Sequence, residues 1–211
     1  HRARRYLGAV SGGSKRQDML YVLPAVSVSF QKQSANAAIT SGNNTYQFAG
    51  ATFDVFESAS DARIGSIQMD SNGRAQATLL PNTAYYLVET KAPAGYVPRR
   101  DRIAFTTGND GGKVAIDEQP GTINLRIVKL DAATNAGPQV GSSLAGAEFT
   151  CVSQSTPGWA QILTTDESGR ATLADVPLGT FTIYESKAPE GYLPSNDSWT
   201  YTVGADQLGD S

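Results

Sequence analysis

Apolar and polar residues alternate with a period of two along most of this chain. TFDVF from Thr52, RAQATL from Arg74, AYYLVET from Ala84 and RIAFTT from Arg102 are short runs rich in Val, Thr, Tyr and Phe. EFTCV from Glu148, RATLADV from Arg170, TFTIYES from Thr180 and WTYTV from Trp199 form a second set. Between them lie DSNG, LPNT, GNDGG, DESG and PLGT, in which Gly, Asn, Asp and Pro supply the backbone angles of tight turns. No window holds an apolar stripe at helical spacing. Short alternating runs separated by turn chemistry predict an all-β protein built of sandwiches.

The two sets are copies of each other. ETKAPAGY at Glu89 returns as ESKAPEGY at Glu185, and 185 − 89 = 96. The same offset pairs DSNGR at Asp70 with DESGR at Asp166, Pro81 with Pro177, and AGATF at Ala49 with AGAEF at Ala145. VSVSFQK ending at Lys32 pairs with INLRIVK ending at Lys129 at an offset of 97, one residue longer. A whole domain is therefore repeated. The reading places the first domain at 23–119 and the second at 120–211, with 1–22 an unassigned extension and the boundary in EQPGT, where Pro120 and Gly121 interrupt strand pairing. The second copy stops at WTYTVGADQLGDS, where its last strand should begin.

Composition narrows the function. A net charge of −3 offers no basic field to a phosphate backbone, so nucleic acid is not an expected partner. No apolar run approaches the ~18 residues of a membrane span. The start, HRARRYLGAV, carries a basic cluster with too short an apolar stretch for a signal peptide. Cys151 is the single cysteine and His1 the single histidine, so neither a disulfide, a zinc site nor a Ser/His or Cys/His hydrolase site can be assembled; no cofactor or metal is expected. In AEFTCV, Ala147, Phe149 and Cys151 share one face, which reads as a small buried thiol.

Strand phase exposes candidate chemistry. Ile123, Leu125 and Ile127 face one way and Lys129 falls in their phase; Val26, Val28 and Phe30 lead likewise to Lys32. Tyr85 and Leu87 are in phase with Glu89, as Phe181 and Ile183 are with Glu185. Each copy thus aims one lysine and one glutamate inward. A strand-end ion pair is the plainest account of one such pair, but the coincidence recurs in both copies. Desolvation disfavours the charged form of a buried amine or carboxyl, and a neutral amine beside a proton-carrying carboxyl is a nucleophile beside a general acid/base.

The doubled E-[TS]-K-A-P-x-G-Y phrase, the preceding GAxF strand and the inward lysine resemble the Cna protein B-type domain, the prealbumin-like (Ig-like) sandwich of Gram-positive surface proteins and sortase-assembled pilins. The resemblance covers the chain from about Val26 onward. It implies an intramolecular isopeptide bond between the first-strand lysine, here Lys32 or Lys129, and an Asn or Asp on the last strand, with Glu89 or Glu185 shuttling protons. The acceptor departs from the pattern. In KVAIDEQP the inward position two before the proline is Glu118, while Asp117 has the family's chemistry but the opposite phase; the resemblance makes Asp117 the expected acceptor of Lys32, with Glu118 the alternative position. Lys129 has no obvious acceptor; a strand from the N-terminal segment, such as MLYVLP, is one source to consider.

The function implied is an extracellular structural subunit, a wall-anchored or pilus stalk fragment with single-turnover self-chemistry and no diffusible substrate, joined by sortase to neighbouring subunits. Two other readings stand beside it. One is an adhesin module for host matrix or glycan, with Trp159 and HRARRY as contacts; the other is a transthyretin-like accessory domain of an enzyme.

Overall fold

The structure, a computed structural model, describes residues 24–208. The first domain contributes seven strands: β1 (Val26–Ser34), β2 (Thr52–Glu57), β3 (Ala62–Gln68), β4 (Arg74–Leu79), β5 (Ala84–Lys91), β6 (Ile103–Thr106) and β7 (Gly112–Glu118). The second contributes β8 (Thr122–Val128), β9 (Glu148–Ser153), β10 (Ala160–Thr164), β11 (Arg170–Pro177), β12 (Gly179–Lys187) and β13 (Ser198–Val203). Helix is confined to one turn, α1 (Ala37–Thr40), and a 3-10 turn at Ala205–Gln207. The all-β reading is borne out.

Each domain is a pair of sheets. In the first, β4-β1-β7 faces β3-β2-β5-β6; in the second, β11-β8 faces β10-β9-β12-β13. The orders correspond strand for strand except that β7 has no counterpart among the described residues. β7 runs parallel to β1, bringing the first and last strands of the domain side by side. Alternation explains the core: Val28, Phe30, Phe53, Val55, Leu87 and Ile116 lie between the sheets of the first domain, each at most 2% exposed. Phe30 meets Phe105 edge-on, with ring centres 5.5 Å apart. In the second domain Phe149, Cys151, Leu163, Val176, Phe181 and Ile183 take the same role.

Strands β3 and β10 escape the alternation pattern. Ile67 is the one buried residue of β3 and Leu163 that of β10, so both are edge strands held by backbone pairing rather than by a two-faced pattern.

Cys151 is fully buried among these side chains, and desolvation pushes its thiol up to about 11. The thiolate is the reactive form. Alkylation of the native protein at pH 8 should therefore be far slower than of the urea-unfolded chain; equal rates would show that the thiol is accessible.

The two domains meet in a buried, hydrogen-bonded seam that alternation gives no sign of. The segment around α1 reaches across: Asn43 Nδ2 donates to Thr156 Oγ1 at 2.9 Å and to the Leu178 carbonyl at 2.7 Å, and Thr156 Oγ1 donates to the Ile39 carbonyl at 2.8 Å. Tyr46 OH donates to the Gly121 carbonyl and accepts from the Leu178 N–H, both at 2.8 Å. Tyr46, Tyr96 and Leu178 form a small apolar cluster around these bonds. Unpaired polar groups would be costly there, so the seam specifies one arrangement.

Candidate functional site

The site of the first domain is assembled from its first, fifth and last strands. Lys32 lies on β1 with its side chain fully covered; Nζ is 2.8 Å from Glu89 Oε1 of β5 and 2.8 Å from Glu118 Oε1 of β7. The side chains of Glu89 and Glu118 are 2% and 1% exposed. Charges held this deeply must satisfy one another, since each ion leaving water costs several kcal/mol. The Phe53 ring, from the repeated GAxF strand, sits beneath the amine with its centre 4.6 Å from Nζ. Phe53 and, in the second domain, Phe149 are thus the aromatic neighbours of the lysines, because β2 and β9 lie directly opposite them.

Backbone groups hold the carboxylates of Glu89 and Glu185. Glu89 Oε2 accepts the Arg99 N–H at 2.7 Å, and Glu185 Oε2 accepts the Ser195 N–H at 2.7 Å, ten residues on in both copies. The Arg99 guanidinium also comes within 3.8 Å of Glu118 Oε1 and donates to the Asp117 carbonyl. Burial raises the Glu118 carboxyl above the ordinary range, against the pull of Lys32, so its protonated form is favoured relative to a carboxyl in water.

Four features of the site were not legible from strand phase. Arg99 and Ser195 act through main-chain groups, which sequence does not advertise. Gly73 and Gly169 belong to the repeated DSNGR and DESGR turns, whose role becomes visible only in three dimensions. The Gly73 and Gly169 carbonyls accept the N–H groups of Lys32 and Lys129 at 2.7 and 2.8 Å. A side chain at Gly169 would stand 2.6 Å from the Lys129 carbonyl. The repeated turn fastens the lysine backbone, and the recurrence of both the turn and the lysine in each copy carried that signal.

Asp117 is placed differently from the expectation that made it the acceptor. It points outward, is exposed, and accepts from Gln33 Nε2 at 2.6 Å. No bulge interrupts β7, so strict alternation turns Glu118, and not Asp117, toward Lys32. In the second domain Lys129 Nζ is 2.8 Å from Glu185 Oε1, reproducing the first pair, with side chains 13% and 0% exposed. Among the described residues Glu185 is the only carboxylate in ion contact with Lys129. Trp159 packs against the second core instead of standing free in a loop. HRARRY lies outside the described residues, as does all of MLYVLP except Pro24. The described residues hold no cluster of His, Cys, Asp and Glu suited to a metal, and no helix is long and apolar enough to cross a membrane.

Residues 34–120 and 124–210 each match the family described as SpaA, prealbumin-like fold domain. The chain belongs to this family. Among solved structures, the Bacillus anthracis TIE protein is similar at 24% identity and a TM-score of 0.60, over 85% of this chain and 31% of that one. A Streptococcal ancillary pilin is matched at 21% identity and a TM-score of 0.37, over 87% of this chain and 60% of that one. A C-terminal fragment of the pilus adhesin SpaC from Lactobacillus rhamnosus GG is matched at 18% and 0.46, covering 85% and 83%. At such identities the likeness to the TIE protein concerns the fold, and this chain spans about a third of its length. No curated protein matches the chain. In each tandem SpaA-type domain the repeated phrase ends β5 or β12 at Lys91 or Lys187, and Pro93 or Pro189 follows two residues on.

Proposed function

We propose that this chain is a load-bearing segment of an extracellular stalk, a pilin or surface adhesin of a Gram-positive bacterium, in which Lys32 and Glu118 condense to an isopeptide bond with Glu89 as proton carrier. The observation that carries this reading is the buried Lys32 amine set 2.8 Å from a carboxylate on the last strand and 2.8 Å from a second on β5. Lys32 Nζ, once uncharged, attacks Cδ of protonated Glu118. Glu89 takes the proton from nitrogen and delivers it to the departing hydroxyl. One C–N bond forms, one C–O bond breaks, and one water leaves. The raised tendency of Glu118 to hold its proton supports this direction of reaction.

The topology gives the bond a mechanical purpose. Tension entering at Val26 and leaving after Glu118 would shear parallel neighbours β1 and β7 apart. A bond between Lys32 and Glu118 carries that tension directly and removes the 118 − 32 − 1 = 85 intervening residues from the load path. Neighbouring subunits joined by sortase, and a wall-anchored or pilus location, are the partners and setting that this role requires. The second domain repeats the Lys129 and Glu185 pair, ready for an acceptor on a strand that completes its sheet.

Single-molecule extension of the chain held at its two ends tests the reading. The first domain should withhold about 290 Å of contour, at ~3.4 Å for each of the 85 residues. Release of the full contour length of both domains would overturn it.

A further inference from the structure

Arg99 touches several parts of the Lys32 cluster at once. Its N–H donates to Glu89 Oε2 at 2.7 Å. Its guanidinium donates through Nη2 to the Asp117 carbonyl of β7 and through Nη1 to Asp101 Oδ2 at 2.9 Å. Held in this way, Nε comes within 3.8 Å of Glu118 Oε1. Among the described residues Nε has no acceptor, and Glu118 Oε1 accepts no hydrogen bond; both atoms are buried. Lys32 Nζ, in ion contact with that oxygen at 2.8 Å, directs its hydrogen bond to Glu89 instead. Leaving a buried donor and a buried acceptor unsatisfied is costly in the resting state.

The repeat shows that this guanidinium is not needed to build the loop. Ser195 is the counterpart of Arg99, since 195 − 99 = 96, and Asp197 that of Asp101. Ser195 keeps both local contacts: its N–H holds Glu185 Oε2 at 2.7 Å, and its Oγ donates to Asp197 Oδ2 at 3.1 Å. What Arg99 adds is a cationic N–H donor beside the carboxyl group of Glu118.

We propose that Arg99 Nε–H is the oxyanion donor for the condensation of Lys32 with Glu118, a role that rests on the crosslink reading above. Attack of Nζ on Cδ turns the planar carboxyl tetrahedral and places negative charge on Oε1. A closure of about 1 Å brings Nε to the ~2.7–3.1 Å of a working oxyanion donor. Catalytic hydrogen bonds that are long at rest tighten in this way as charge develops. Collapse of the intermediate expels Oε2 as water with the proton from Glu89, and Oε1 stays as the carbonyl oxygen of the new amide. The competing role for Arg99 is charge balance, two cations against two carboxylates, and the two roles differ in sign. Arg99 draws the Glu118 carboxyl toward its ionised form, against the larger effect of burial. On charge balance alone, its removal favours the protonated acceptor and quickens the reaction. As an oxyanion donor, its removal slows it.

Cell-free synthesis in a short pulse, with samples taken into denaturant and weighed intact, follows the loss of water from newly made chains. Arg99→Ala should slow that loss by about 10²–10³-fold. Methylguanidinium below denaturing concentration should restore part of the rate, because the Arg99 side chain is 23% exposed and its removal opens the place to solvent. An Arg99→Ala chain that loses water as fast as the parent, or faster, would overturn the role of Arg99 while the crosslink stands. Slowing that methylguanidinium does not relieve would overturn it too, and leave Arg99 a structural part. A parent that never loses water would overturn crosslink and donor together.

Discussion

Lys32→Ala should lower the unfolding midpoint of the first domain by at least about 15 °C and restore one water to its mass. A crosslink closing a loop of 118 − 32 = 86 residues is comparable, on the chain-entropy argument, to a disulfide over a similar loop, about 4–5 kcal/mol. For a domain of this size each kcal/mol moves the midpoint by ~4 °C or more. The substitution also leaves Glu89 and Glu118 facing each other in a buried site without their shared cation, which adds to the loss. Glu89→Ala separates the two contributions: Lys32 and Glu118 remain paired, but the proton carrier is gone. Calorimetry should place Glu89→Ala between the parent and Lys32→Ala, with its mass equal to the full sequence. A Lys32→Ala midpoint within a few degrees of the parent would show that the cluster contributes little.

The seam between the domains should respond almost as strongly. Tyr46 is buried, meets the Tyr96 ring at 5.5 Å and bonds both Gly121 and Leu178 through its hydroxyl. Removing a buried aromatic ring costs about 3–5 kcal/mol, and each orphaned polar partner about 1–3 more if water cannot reach it. Tyr46→Ala should therefore split a single cooperative unfolding transition into two, each domain melting by itself, while Tyr46→Phe weakens the coupling by the hydrogen bonds alone. A calorimetric trace for Tyr46→Ala identical to the parent would mean that the domains are coupled elsewhere.

How much of this could be read from the chain depends on the range of the interaction. The two-residue period located the core strands because a residue's facing is a local property, and it placed Lys32, Glu89, Lys129 and Glu185 inward for the same reason. The same rule, applied strictly, pointed to Glu118; weighting the family's chemistry above the phase made Asp117 the acceptor, and the unbroken register of β7 decides for phase. Strands β3 and β10 carry too few buried residues to alternate visibly. The seam was illegible because Asn43 and Thr156 are 113 positions apart and each reads as an ordinary loop residue until the loops meet. The clamp of Gly73 on Lys32 was half legible: turn and lysine recur in both copies, but nothing in the sequence shows that a carbonyl joins them.

The central claim is that Lys32 and Glu118 are covalently joined. It is tested most directly by the intact mass of the purified chain under denaturing conditions, with fragment masses locating the bond. The mass should be one water less than that of the sequence, lost from a branched peptide joining Lys32 to Glu118. A mass equal to the sequence would contradict it, leaving Lys32, Glu89 and Glu118 as a buried ion cluster.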